Sequence, residues 1–191
     1  MLFAVQLAGV LLYPFMEGSD VGRALFSVFG ILVLGLVVLG IPATILLLYQ
    51  AVTGDTSLFP YSSAFEAVLY FYAAAVLLRY MTADHRVTRD ELFAVGATFT
   101  LVAWAFAYVY VVVQAVDPGS FTGAERPEEP RTWMELLFLS FTTLTSTGLS
   151  DIVPVQPFAR GVLMLEQLAG LGYVALVVSR LVALTVPRRP A

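Results

Sequence analysis

Apolar residues in this chain run in long blocks separated by short polar breaks, and the block lengths give the first structural reading. An α-helix rises about 1.5 Å per residue, so roughly 20 apolar residues cross the ~30 Å hydrocarbon core of a bilayer. Leu2 to Met16 is a short first block, ended by the acidic, turn-forming Glu17-Gly18-Ser19-Asp20. Ala24 to Val52 follows almost without a polar residue. As a helix it would measure about 43 Å, too long for one upright span and too short for two full ones. Gly40-Ile41-Pro42 is its expected break, because proline removes a backbone donor inside a helix. Ser63 to Met81 forms the next span, and the polar connector Thr82 to Glu91 leads into a long helix, Leu92 to Val116, stopped by Asp117-Pro118-Gly119. An acidic loop occupies 117–132. Trp133 to Leu144 is apolar but only about 18 Å long, which suits a half-helix that enters the membrane without crossing it. A polar stretch over 145–151 comes next, and the last helix is expected from 158 to 185.

These elements make an all-α integral membrane protein in two parts. Residues 1–90 hold N-terminal transmembrane helices and a connector, and residues 91–191 hold an outer helix (92–116), a half-helix (133–144), a loop (145–151) and an inner helix (158–185). Composition agrees with that class: 59% of residues are hydrophobic, 13% are charged and the mean hydropathy is +0.86. The N-terminus lacks the basic region and small-residue cleavage site of a signal peptide and reads as a retained first helix. All ten basic residues are arginine, and their placement sets an orientation. Arg79, Arg86 and Arg89 flank one connector and Arg188 and Arg189 lie at the C-terminus, whereas the 117–132 loop carries Asp117, Glu125, Glu128 and Glu129 against two arginines. The connector and C-terminus are therefore expected in the cytoplasm and the acidic loop outside. Two passes within 24–52 would give six crossings and a cytoplasmic N-terminus; one tilted pass would give five. Six is the expectation.

The most informative segment is Thr142-Thr143-Leu144-Thr145-Ser146-Thr147-Gly148-Leu149-Ser150-Asp151. Irregular, hydroxyl-rich backbone at membrane depth is tolerated only where it is buried in protein or lines a watery path, because lipid cannot satisfy its amides and carbonyls. A pore loop follows from that constraint. Enzyme chemistry does not. The chain has no cysteine, no lysine and a single histidine, His85, so Ser146 or Ser150 would lack a base, and a metal site would lack ligands. No cofactor and no nucleic-acid partner are expected.

Helix, half-helix, hydroxyl-rich loop ending in Gly-x-x-Asp, then helix, resembles the pore module of the potassium-channel superfamily, in its prokaryotic form. The family's Thr-Val-Gly-Tyr-Gly-Asp segment is matched here by Ser146, Thr147, Gly148, Leu149, Ser150 and Asp151, led in by Thr145 and followed by Ile152-Val153-Pro154. The resemblance implies a homotetramer, since one loop cannot surround an ion and four copies about an axis can. It implies a filter of carbonyl rings that replace the water of a monovalent cation, potassium or sodium. Alternate filter residues must then visit left-handed backbone conformations, which glycine adopts without steric cost. Gly148 keeps the first such glycine, while Ser150 stands at the second and Leu149 replaces the bracing aromatic. A weakly selective monovalent cation channel is one reading, and a non-conducting or regulatory channel-like protein is the other. Partners are the bilayer, further copies of the chain and the permeant ion.

Other residues carry smaller expectations. Asp151 would form a carboxylate ring at the outer mouth, concentrating cations. Glu166 lies within an apolar helix, where an ionisable group is a functional candidate; it could instead sit near the outer interface or bond the back of the filter. Gly170 and Gly172 permit helix bending or close packing. Glu135 is placed to meet the positive end of the half-helix dipole. Glu66 reads as interfacial, Arg79 as a positive-inside anchor, and Tyr70, Tyr72, Trp104, Tyr108 and Tyr110 as dispersed packing and interface anchors.

The orientation is directly testable in this cysteine-free chain. Cysteines introduced singly at Arg86, Glu128 and Arg189 should label so that positions 86 and 189 react from one face and position 128 from the other. Labelling of 86 and 128 from the same face would exclude a half-helix that re-enters between two full spans.

Overall fold

The computed structural model of the protein describes residues 20–55, 57–82 and 89–185. The expected first block Leu2–Met16, His85, Arg86, Arg188 and Arg189 lie outside the described residues. The helices are α1 (Asp20–Thr53), α2 (Phe59–Thr82), α3 (Arg89–Val116), α4 (Trp133–Leu144) and α5 (Pro157–Thr185). Two short strands, β1 (Phe121–Thr122) and β2 (Val153–Pro154), complete the order. Three stretches among the described residues are long and apolar enough to cross a membrane: Phe59–Thr82, Phe93–Val116 and Pro157–Val182. The α4 helix, at 12 residues, is too short.

The break expected at Gly40-Ile41-Pro42 does not divide α1. Its 34 residues form one continuous helix of about 51 Å, with Pro42 inside it. Two passes within 24–52, and with them the six-crossing count, are therefore not what this segment forms. Proline removes a single ladder bond, no turn-forming run accompanies it, and the Thr44 hydroxyl donates to the Gly40 carbonyl at 2.7 Å beside it. The chain turns only at Gly54, whose positive φ of 70° a glycine adopts freely.

Packing proceeds inward from the N-terminal helices. The α2 helix lies between α1 and α3, while α4 packs against both α3 and α5. The main core is built by Phe106, Tyr110, Val111 and Val113 of α3, Leu136 and Leu139 of α4, and Phe121, Ile152 and Ala159. A second cluster corrects the expectation of dispersed aromatics. Tyr70 contacts Trp104 and Tyr108 at centroid distances of 5.5 and 5.6 Å, and these two contact Trp133 at 5.3 and 5.6 Å. Four rings thus join α2 and α3 to the first residue of α4. Glu66, on the same stretch of α2, is buried within the protein.

The all-α expectation needs one amendment. β1 and β2 pair antiparallel, Phe121 opposite Pro154 and Thr122 opposite Val153, and the Val155 N–H donates to the Ser120 carbonyl at 2.8 Å. Two-residue strands leave no periodicity to read in a sequence, so the ladder was illegible there.

Inside the acidic loop a buried arginine takes the place of a hydrophobic core. Arg131 donates to the carbonyls of Glu125 at 3.1 Å and of Glu129 and Arg126, while its own N–H donates to the Gln114 side chain at 2.7 Å. A Cβ at Gly123 would come within 2.5 Å of its Nη1, so glycine makes the space. Arg131→Ala would take its donor from the Glu125 and Glu129 carbonyls and leave the Arg126 carbonyl with the Glu129 N–H alone. We expect it to lower stability by about 2–3 kcal/mol and to expose residues 125–130 to protease, read by thermal unfolding and limited proteolysis in detergent.

Candidate functional site

The site is built on α4. Thr132 caps the helix: its hydroxyl accepts from the Glu135 N–H at 3.3 Å, and Glu135 Oε2 accepts from the Thr132 N–H at 2.6 Å, a reciprocal capping box. That backbone N–H holds the Glu135 carboxyl below its usual range, with the Thr132 hydroxyl and Arg131, 3.6 Å away, acting in the same direction. Glu135 therefore does at the helix start what its sequence position suggests.

At the other end the chain folds back over the last turn. The Ser146 N–H donates to the Thr143 carbonyl at 2.9 Å, and those of Thr147 and Gly148 both donate to the Thr142 carbonyl, at 2.9 and 3.1 Å. The Thr145 hydroxyl donates to the Phe141 carbonyl at 2.7 Å and lies 3.0 Å from the Thr147 hydroxyl. Orphan carbonyls at a helix C-terminus need partners, and this loop supplies them. Thr145 to Leu149 and Asp151 are exposed in the single chain, with Leu149 at 76%.

The left-handed positions differ from those expected. Within 145–151, Ser146 (φ 59°) and Gly148 (φ 64°) are left-handed, and Ser150 is not. Ser150 instead accepts the Ile152 N–H on its hydroxyl at 3.0 Å, a side-chain turn that glycine could not make and that leads into β2. Alternation along the segment is thus present, but shifted toward α4. Backbone strain falls on Ser146, at about 1–2 kcal/mol.

Glu166 and Gly170 grip α4, which leads into the 145–151 segment. Glu166 is fully buried, with its carboxyl bonded to the Tyr110 hydroxyl of α3 and the Ser140 hydroxyl of α4. Ser140 Oγ also lies 2.8 Å from the Ala103 carbonyl. Gly170 packs directly on Leu144, where an added Cβ would approach the Leu144 carbonyl oxygen to 2.3 Å. Of the two expectations for Gly170, bending or packing, this contact belongs to packing. Ser140 and Tyr110 carry the site with Glu166, and reading the sequence alone missed that role. The available signal was a serine amid Leu-Phe-Leu-Ser-Phe, since a hydroxyl on an apolar half-helix needs a buried partner.

Beside the loop, a groove of about 580 Å³ is lined by Thr142, Ser146, Gly148, Gln167, Leu168 and Leu171. Along it α5 is left largely uncovered, with 11% of its most apolar window buried.

Gly170→Ala tests the close approach. A methyl group cannot fit against the Leu144 backbone, so α4 and α5 must separate, at about 1–3 kcal/mol. Thermal unfolding should shift downward, whereas Gly172→Ala, which meets open space, should leave it unchanged.

Comparison with known proteins adds an independent line. A family model described as ion channel matches residues 96–186, from α3 through α5. Neither the search of curated proteins nor that of solved structures gives a match. The matched segment contains the capped half-helix, the folded-back loop and the two helices that enclose them, and among the described residues three stretches are long and apolar enough to cross a membrane. The chain is thus a multi-pass membrane protein that is similar, over residues 96–186, to an ion channel domain.

Proposed function

We propose that four copies of the chain assemble about an axis through Thr145–Ser150 and form a monovalent cation channel of weak selectivity. The observation that carries this reading is the exposed face of the loop: its backbone bonds are satisfied by α4 on one side, and its other side is left open beside the uncovered groove and α5. A second copy is the occupant that fits, because it brings the same apolar α5 surface and closes the ring that one loop cannot. Residues Thr145 to Asp151 form the ion path, with Asp151 at its outer mouth. The bound species is the permeant potassium or sodium ion. The protein resides in the cell membrane with its C-terminus in the cytoplasm and the acidic loop outside, as the arginine asymmetry supports.

Weak selectivity follows from the shifted alternation. Discriminating potassium from sodium takes an ordered stack of carbonyl rings, and left-handed residues at 146 and 148 support such a stack only over the lower part of the segment. Ser150, committed to its turn with Ile152, does not extend it. The upper path is then wider and more hydrated.

Purified protein in liposomes under bi-ionic conditions tests the proposal. We expect a reversal potential showing no more than about tenfold preference between potassium and sodium, and a shift toward potassium in the double variant Leu149→Tyr with Ser150→Gly. Strong potassium selectivity in the unmodified protein would overturn the filter argument. Absence of any flux from a well-assembled tetramer would favour the non-conducting, regulatory reading.

A further inference from the structure

Proton counting around Glu166 leads to an inference about its chemical form. Three close oxygen contacts meet there: Tyr110 hydroxyl with Oε2, Ser140 hydroxyl with Oε1, and Ser140 hydroxyl with the Ala103 carbonyl. Each contact needs one proton between its two oxygens. The Tyr110 and Ser140 hydroxyls supply two. With an ionised carboxylate, one oxygen pair would face each other with no proton between them. A third proton on Oε1 closes the set: the acid O–H donates to Ser140 Oγ, the Ser140 O–H donates to the Ala103 carbonyl, and the Tyr110 O–H donates to Oε2. The surroundings favour the same form, since Glu166 is fully buried and the described ion pairs, Arg126 with Glu129 and Arg131 with Glu135, both lie in or beside the acidic loop. An ionised carboxylate buried without a cation is strongly disfavoured.

We propose that Glu166 is carried as the neutral acid and serves as a positioning residue for the ion path. Its hydroxyl proton fixes Ser140. Two residues further along the same helix, the Thr142 carbonyl receives the N–H groups of Thr147 and Gly148, so the rotation of α4 that Glu166 sets is passed to the loop backbone. The contact between Gly170 and Leu144, one turn onward on both helices, holds the same register. This role rests on the channel reading above, whereas the protonation state does not.

The test uses purified full-length protein in lipid. Infrared difference spectra between the wild type and Glu166→Gln should show the carbonyl band of a protonated carboxylic acid in the wild type at neutral pH. Glutamine offers an N–H donor and a carbonyl acceptor in the same places, so Glu166→Gln should conduct within about twofold of the wild type, whereas Glu166→Ala should fall at least about tenfold. Ser140→Ala, which keeps the acid but removes its acceptor, should shift the acid band and also reduce flux. Absence of the band, or a glutamine variant as impaired as the alanine one, would overturn the proposal. If the wild type itself carries no ion, the channel reading fails while the infrared result still decides the protonation state.

Discussion

The position of the loop depends on one contact, the seating of the Leu144 carbonyl against Gly170. Peptide backbones come this close only where one of them carries no side chain. Because Glu166 and Ser140 meet one turn earlier, the two helices share a register that neither could slip without breaking a hydrogen bond and creating a clash. The α4 C-terminus is thereby fixed in depth and rotation, and the 145–148 backbone hangs from it through the Thr142 and Thr143 carbonyls. A cap at the far end, Thr132 with Glu135, stops the same helix from fraying. The short helix behaves as a rigid peg set between α3 and α5.

The peripheral helices are joined to this peg near its start and to α5 further along. Near the start of α4, the rings of Tyr70, Trp104, Tyr108 and Trp133 connect α2 to it through α3. At the opposite end of α2, the Arg180 guanidinium of α5 donates to the Met81 carbonyl, where the negative pole of α2 favours a cation. Tyr173, half-way along α5, donates to the Val95 carbonyl of α3. The inner helix is therefore fastened along its length, by Glu166, Gly170, Tyr173 and Arg180 in turn, while its other face stays free.

How much of this was readable in advance follows from what each residue's chemistry depends on. Membrane helices and the half-helix were legible because block length and hydroxyl content are local properties of the sequence. The continuity of α1 was not, because Pro42 and Gly40 weaken a helix without dictating a turn, and the surrounding apolar run decides the outcome. At the site, Gly148 was legible as a left-handed residue; Ser146 was not, since its φ is imposed by the fold-back of the chain onto Thr142 and Thr143. Glu166 stood out as an acid in an apolar helix, but its partners Tyr110 and Ser140 lie 56 and 26 residues away, and pairing across such distances leaves no mark in one sequence.

The small ladder between β1 and β2 changes the topology of the site. By tying Phe121 to Pro154 it closes a ring of chain that contains the acidic loop, α4 and the whole 145–151 segment. The cost of closing a ring grows only slowly with its length, so the exposed stretch 124–130 inside it can vary in length at little entropic cost, whereas α4 inside the same ring is packed between the two long helices. The half-helix, the loop that precedes it and the 145–151 segment are thus held as one closed unit between two long helices.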